Sequence, residues 1–327
     1  STAILMNINS GEIFSMVSLP DFDLNKREDI SDKKFINRST KGVYELGSVF
    51  KTFTLAAGLQ QNVIQEDTLF KNLPKKIKCA GRSISEYDMD IPSSLTAEEI
   101  LIRSGNIGSI KIAQKVGLEN FKDFLENLDL LNKIQFDIEE VGNPIPFKWG
   151  KCKLATSAYG HGITTTPLQL AKAYAIIANG GYKIKPTLIK KEKNLKRGEQ
   201  IITQENSNKI NEILRKIVTS EQGTANLANI AGYEIAGKTG TAQKSIKGKY
   251  SKKKINTFAS IFPISSPKYV LIVLLDEPKL SETYIYEYND GKKRKIIGTP
   301  FNTAGWTSVE VAKNIIEKIG PILAIKY

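Results

Sequence analysis

A chain of 327 residues can build one large domain or two smaller ones, each with a core of its own. With 41% apolar and 25% charged residues it has an ordinary globular composition, and no run of about 18 apolar residues offers a membrane span. The net charge of +13 suits anionic partners, but no basic stripe is interleaved with aromatics; it is read as a solvated surface, and nucleic acid is not expected as a partner. The two cysteines, Cys79 and Cys152, and the single histidine, His161, exclude more. No set of Cys, His and carboxylate residues has zinc-site spacing, so neither metal nor cofactor is expected. A Ser-His-Asp triad would have to use His161, inside Gly160-His161-Gly162. The cysteines could pair in an oxidising compartment, but sequence alone does not bring them together.

The chain starts directly on a strand pattern, Ala3 to Ile8, with no secretory leader pattern. Such a start is expected of a domain whose targeting segment lies upstream. Residues 3–8 and 12–18 read as a hairpin around Asn9-Ser10-Gly11, followed by a polar stretch from Asp21 to Lys41. Ser48 to Gln60 reads as a helix with Val49, Phe50, Phe53, Leu55 and Ala56 available for burial. Helical patterning resumes at Thr96, where Thr96 and Glu99 have capping-box spacing, with Ile100, Leu101 and the stretch 107–116 as apolar positions. Further helices are expected at 118–128, 167–179 and 206–219. Strands are expected at 233–243, 256–262 and 269–276, the lysine-rich run 244–254 as a hairpin loop, and a closing helix over 305–318. Strands at both ends around a helical middle predict an α+β fold, with the N-terminal hairpin joining the C-terminal strands in one sheet.

Three short patterns carry chemistry. In Ser48-Val49-Phe50-Lys51, residues three apart on a helix share a face, so the Lys51 amine can serve the Ser48 hydroxyl. A serine at a helix N-terminus also has free N–H groups near developing negative charge. The pattern recurs at Ser31, Ser251 and Ser265, but only the Ser48 copy opens an apolar helix. Ser104-Gly105-Asn106 stands at the junction of two predicted helices; alone it would be an ordinary helix break. Lys238-Thr239-Gly240-Thr241 lies on a predicted strand that could pair with an extended peptide, with Lys238 holding an anion.

Their order decides the reading: Ser-x-x-Lys, Ser-x-Asn and Lys-Thr-Gly, in this sequence, mark penicillin-binding proteins and class A β-lactamases. Beyond the motifs, the run from Tyr44 to Lys51, the segment 155–181 and the opening hairpin resemble class B high-molecular-weight penicillin-binding proteins, nearest the cell-division branch. Leu46 stands where that family usually has proline, Gly105 sits between Ser104 and Asn106, and His161 stands where tyrosine is common.

The resemblance implies one transpeptidase domain over 1–327 with the penicillin-binding/serine β-lactamase-like fold. An antiparallel sheet flanked by helices (a lobe of about 1–58 plus 231–327) would carry an inserted all-helical lobe of about 59–230. It implies a peptidoglycan D,D-transpeptidase, inhibited by β-lactams, that cross-links stem peptides ending in D-Ala-D-Ala, in septal wall synthesis. Ser48 would be the nucleophile and Lys51 its base, with a pKa lowered by burial and by the Lys238 charge. Ser104 would pass a proton to the leaving D-Ala, and Asn106 would position Lys51 and the substrate amide. Lys238, Thr239 and Thr241 would hold the terminal carboxylate, Gly240 would let the peptide approach, and the N–H groups of Ser48 and Thr241 would form the oxyanion hole. The implied setting is the outer face of the inner membrane, through an anchor upstream of this chain, with a membrane glycosyltransferase and division-complex proteins as partners.

Two rivals remain. A β-lactamase or D,D-carboxypeptidase would share the motifs and send water to the acyl-enzyme, with Glu139 or Glu140 as the deacylating group. Gly232 to Thr239 also fits the phosphate-binding pattern G-x-x-x-x-G-K-[ST], with Asp276 as a magnesium partner, although no helical periodicity follows Thr239 as an ATPase would require.

Overall fold

The computed structural model describes residues 1–23, 25–26, 35–191, 197–246, 249–289 and 293–326. Its N-terminal hairpin pairs β1 (Thr2–Asn7) with β2 (Ile13–Ser18). The turn closes because the Asn7 side-chain oxygen accepts the N–H groups of Asn9 and Ser10 at 2.8 and 3.0 Å. The chain then reaches a 3₁₀ turn, Gly47–Phe50, that runs into α1 (Lys51–Gln60). Every residue of α1 from Lys51 to Leu59 is buried, which marks it as a central helix rather than an amphipathic surface one. Its two buried threonines are satisfied: Thr52 by the Tyr174 hydroxyl at 2.9 Å and Thr54 by the Ala158 carbonyl at 2.7 Å.

The insert that follows carries short strands as well as helices: β3 (Leu69–Phe70), β4 (Lys76–Cys79), β5 (Arg82–Ser85) and β6 (Leu95–Thr96). They make two small ribbons, β3 with β6 and β4 with β5. Next come α2 (Ala97–Ile102), α3 (Asn106–Val116), α4 (Leu118–Asn127), α5 (Lys151–Ser157), α6 (Pro167–Ala178) and α7 (Gln204–Thr219). The capping box expected at Thr96 and Glu99 is present in both directions, and Thr166 with Gln169 builds a second one ahead of Pro167.

The last third supplies β7 (Ala236–Ile246), β8 (Lys249–Phe262), β9 (Tyr269–Asp276), the hairpin of β10 (Ile285–Asn289) and β11 (Lys293–Ile297), and α8 (Ser308–Lys326). The sheet has the order β2-β1-β9-β8-β7, antiparallel throughout, with β1 against β9 from Thr2 opposite Leu274 to Asn7 opposite Tyr269. The two ends of the chain thus close one sheet, as expected. Strand β9 is buried from Tyr269 to Leu274 because α6 and α8 both pack on it, which accounts for its unbroken apolar run.

Two expectations are corrected: the insert is not all-helical, because the β3–β6 and β4–β5 ribbons lie within it; the second concerns the lysine-rich run. The lysine-rich run 244–254 is for the most part not loop: β7 continues to Ile246 and β8 starts at Lys249. Its lysines tolerate the strand because carboxylates stand beside it, Lys244 meeting Asp276 and Glu277 at 2.8 Å and Lys253 meeting Glu277 at 2.7 Å. The short helix α5, the two ribbons and the β10–β11 hairpin lack the periodicity that would have announced them.

Candidate active site

Ser48 is a half-buried residue in a turn whose neighbours Gly47, Val49 and Phe50 are all buried. The turn is 3₁₀, and in that geometry residues three apart eclipse, so Ser48 and Lys51 lie on one line. The turn sits hard against β7. A Cβ on Gly240 would fall 2.2 Å from the Leu46 carbonyl oxygen, so only glycine allows this approach. Leu46, where the resemblance leads one to expect proline, is fully buried.

Lys51 is 2% exposed and Lys238 is fully buried. Both amines converge on Ser104: Lys51 Nζ donates to the Ser104 carbonyl at 2.5 Å and to Ser104 Oγ at 3.2 Å, and Lys238 Nζ donates to the same Oγ at 2.9 Å. Lys238 Nζ also donates to the Thr239 carbonyl at 3.1 Å. Among the described residues no hydrogen bond joins Lys51 to Ser48; the Lys51 amine is engaged by Ser104. Ser104 reaches between the amines because its backbone is left-handed, φ 58°, a conformation that costs a residue with a Cβ about 1 kcal/mol or more and is held by its surroundings.

Burial pushes the Lys51 amine down to about 7, with the Glu86 carboxylate pulling the other way. Lys238 is pushed well down, by burial first and by the Lys51 charge second. The repulsion between the two lysines thus falls on Lys238; Lys51 is lowered by burial, and the expected push from the Lys238 charge is not among its causes.

A cavity of about 600 Å³ opens over this cluster, lined by Ser48, Lys51, Ser104, Asn106, Thr239 and Thr241 among others. On β7, Thr239 and Thr241, two apart and so on one face, line the cavity, whereas Lys238 and Gly240 are not part of its lining. The Lys238 amine reaches Ser104 Oγ, at the edge of the cavity. Thr239 Oγ1 bonds Thr224 Oγ1 at 2.6 Å, and Thr241 Oγ1 accepts the Ala304 N–H at 3.0 Å. Strand β7 ends the sheet, and no described strand covers its outer edge. The Asn106 amide donates to the Ser85 carbonyl at 2.9 Å, and no hydrogen bond links it to Lys51 among the described residues.

Sequence reasoning missed Glu86, which lines the cavity and carries no motif signal. It also missed the aromatic end of the site. There His161 lies against Tyr159 and Tyr250, ring centroids 5.7 and 4.5 Å away, and its Nδ1 stands 3.9 Å from the Glu45 carboxylate. Cys79 and Cys152 form a disulfide, Cα atoms 5.6 Å apart, that ties the β4–β5 ribbon to α5.

The rival constellations come apart. Glu140 accepts the Asn37 N–H at 2.9 Å and neither it nor Glu139 lines the cavity. Gly237 to Thr239 lie within a strand that continues beyond them, and Asp276 is paired with Lys244, so no phosphate loop opens a helix. Ser251 faces the Lys244 carbonyl on β8, Ser265 sits in the turn after β8, and Ser31 lies outside the described residues.

Residues 1–302 match the family model for the penicillin binding protein transpeptidase domain. The chain is 31% identical to the probable peptidoglycan D,D-transpeptidase FtsI of Caulobacter vibrioides, over its whole length and 54% of that protein. It is 30% identical to the peptidoglycan D,D-transpeptidase FtsI of Escherichia coli K12, over 86% of this chain and 48% of that one. The chain therefore spans about half the length of the curated relatives it matches. The fold is that of the transpeptidase domain of Burkholderia pseudomallei penicillin-binding protein 3, with a TM-score of 0.77 at 24% identity, covering 97% of this chain and 88% of the other. Motifs, fold and relatives agree: this chain belongs to the penicillin-binding protein transpeptidase domain family.

Proposed function

We propose that this chain is the catalytic domain of a peptidoglycan D,D-transpeptidase of septal wall synthesis, acylated on Ser48 and blocked there by β-lactams. One observation carries the reading: an accessible serine stands in line with a buried lysine whose amine is brought to about 7, beside an open sheet edge. At neutral pH a useful fraction of Lys51 is unprotonated and able to accept a proton, which an ordinary lysine is not. One domain is proposed, with the sheet lobe (1–58 and 231–327) carrying the insert (59–230).

The stem peptide pairs its extended backbone with the free edge of β7, and its terminal carboxylate lies at the Thr239 and Thr241 hydroxyls, over the buried Lys238. Lys51 swings from Ser104 to Ser48 and takes the hydroxyl proton as Oγ bonds to the carbonyl carbon of the penultimate D-Ala. The N–H groups of Ser48 and Thr241 receive the oxyanion. Ser104, already bonded to both lysines, passes the proton from Lys51 to the departing D-Ala nitrogen, and the peptide bond breaks. An amine of a second stem peptide then attacks the ester. Its proton returns through Lys51 to Ser48 Oγ, leaving a new amide and the free enzyme. A β-lactam follows the first half, but its leaving nitrogen stays tethered and blocks the second. Asn106, fixed to Ser85, presents its carbonyl oxygen to the substrate rather than to Lys51.

The Cys79–Cys152 disulfide suits an oxidising compartment, which supports the outer face of the membrane as the site of action. No helix among the described residues is long and apolar enough to cross a membrane; a membrane anchor, and a membrane glycosyltransferase and division proteins as partners, belong to the same proposal. Mass spectrometry after incubation with benzylpenicillin tests the reading. A stable adduct of one drug mass, absent in Ser48→Ala, is expected; a folded chain with no adduct refutes acyl transfer, and fast turnover of the drug refutes transpeptidation in favour of hydrolysis.

A further inference from the structure

We propose that Glu86 is a positioning residue for the acylation step: its carboxylate clamps the first turn of α3, fixing Ser104 and Asn106, and stands on the wall of the cavity that it shares with the base Lys51. The inference rests on the reading of Lys51 as that base.

The local geometry leaves a gap that Glu86 fills. Helix α3 begins at Asn106, and its N-cap is Gly105, which has no side chain to accept the free N–H groups of the first turn. A capping side chain at 105 would be crowded, since a Cβ there meets Ile91 Cδ1 at 3.1 Å. The cap comes instead from 20 residues upstream: Glu86 Oε2 accepts the Asn106 N–H at 2.6 Å and Oε1 accepts the Ile107 N–H at 2.8 Å. The neighbouring Ser85 carbonyl takes the Asn106 side-chain amide. Two consecutive residues at the end of the β4–β5 ribbon therefore hold Asn106 by backbone and side chain. Ser104, strained at φ 58° immediately before this grip, can then keep its carbonyl and hydroxyl on Lys51.

A carboxylate only 7% exposed is an expensive way to cap a helix. Two N–H donors and the positive end of α3 offset part of that cost, and the remaining field falls on Lys51. Glu86 is the negative group that acts on Lys51. From β7 the facing charge is Lys238, buried. Farther out, Arg103 and Asp88 neutralise each other at 3.3 Å, Glu45 and His161 pair at the aromatic end, and Glu221 lies on the cavity wall. Without Glu86, two buried amines would meet with no buried carboxylate against them, and Lys51 would be a weaker base than proton abstraction from serine needs.

The test is the rate constant for acylation of Ser48 by benzylpenicillin across about pH 5.5 to 9, with the thermal midpoint followed in parallel. In the unsubstituted chain the rate rises through a limb near pH 7, where Lys51 gives up its proton. Glu86→Gln is expected to move that limb to lower pH by about 0.5 to 1 unit, because the charge favouring protonated Lys51 is gone. It should also lower the plateau by about 10-fold, because an amide offers one acceptor to two N–H donors and loosens Ser104. A lower plateau with an unmoved limb would reduce Glu86 to a helix cap and overturn the proposal, as would a limb moved to higher pH. Should Glu86→Gln fail to fold, Glu86→Asp carries the test by drawing the charge back one methylene. A smaller downward shift supports the proposal, and an unmoved limb overturns it. If the unsubstituted chain is not acylated, while Ser48→Ala confirms that no adduct forms, the reading of the site itself fails and takes this inference with it.

Discussion

The two walls of the cavity are built by different means. On one side, the Gly47–Phe50 turn and strand β7 meet through backbone geometry: a 3₁₀ register aligns Ser48 with Lys51, period-two alternation presents Thr239 and Thr241, and Gly240 lets the two segments touch. On the other side, Ser104, Asn106 and Glu86 are held by irregular backbone, side-chain hydrogen bonds and a small ribbon stapled by a disulfide. The first wall has few ways to relax without losing the fold around it. The second can loosen while the sheet and central helix stay intact, which makes it the wall where rate and proton affinity are adjusted.

The largest effect should come from the shared centre. Lys51→Met is expected to cut Ser48 acylation by about 10³-fold or more, read by mass spectrometry. It should also stabilise the domain. Folded Lys51 releases its proton near 7 and unfolded Lys51 near 10.5, so between those values the unfolded chain binds more protons and stability rises with pH. The cost of the buried amine is full below about pH 7, so the gain in thermal midpoint should be greater near pH 6 than near pH 9, by roughly 2 °C or more. A gain independent of pH would show that Lys51 does not titrate as described.

On the backbone-built wall, Gly240→Ala puts a Cβ 2.2 Å from the Leu46 carbonyl, backbone against backbone. Acylation should fall by about 10²-fold and stability by about 2 kcal/mol, the two losses arriving together. Wild-type acylation in a folded Gly240→Ala chain would remove the close approach from the account. On the side-chain-built wall, replacing Cys79 and Cys152 together by serine should cost about 2–4 kcal/mol in a urea titration. Acylation should slow by less than about 10-fold, since the ribbon keeps its own hydrogen bonds. A complete loss would show that both walls are equally brittle. The smallest effect belongs to the exposed ion pairs of Glu277 with Lys244 and Lys253. Lys244 and Lys253 hold the Glu277 carboxylate down to about 2, so its contribution is present at neutral pH and lost as pH falls from about 4.5 through 2. Because Glu277 is 35% exposed, Glu277→Gln should cost only about 0.5 kcal/mol at neutral pH, less in high salt, with acylation unchanged.

The same contrast governs what could be read in advance. The helix after Ser48, the capping box at Thr96 and the run of β9 are legible because each depends on neighbours a few residues away. The start of β8 is hidden from hydrophobic periodicity because it is lysine-rich, and what offsets that charge, Glu277 against Lys253, lies on another segment. Helix α5 has only seven residues, too few for a periodic signal; it packs on α3 and α4, with Leu154 and Ala155 buried.

By itself the sequence determined the α+β class, the joining of both chain ends in one sheet, and the three motifs with Ser48 and Lys51 as a pair, because spacing along a helix or strand decides which side chains share a face. Only the tertiary structure decided that Lys238 lies buried beneath Ser104, that Asn106 bonds Ser85 instead of Lys51, that Cys79 and Cys152 meet, and that Glu86 caps α3. Those contacts join residues 20 to 134 positions apart, and burial and electrostatic field are properties of the assembled neighbourhood, which no local pattern encodes.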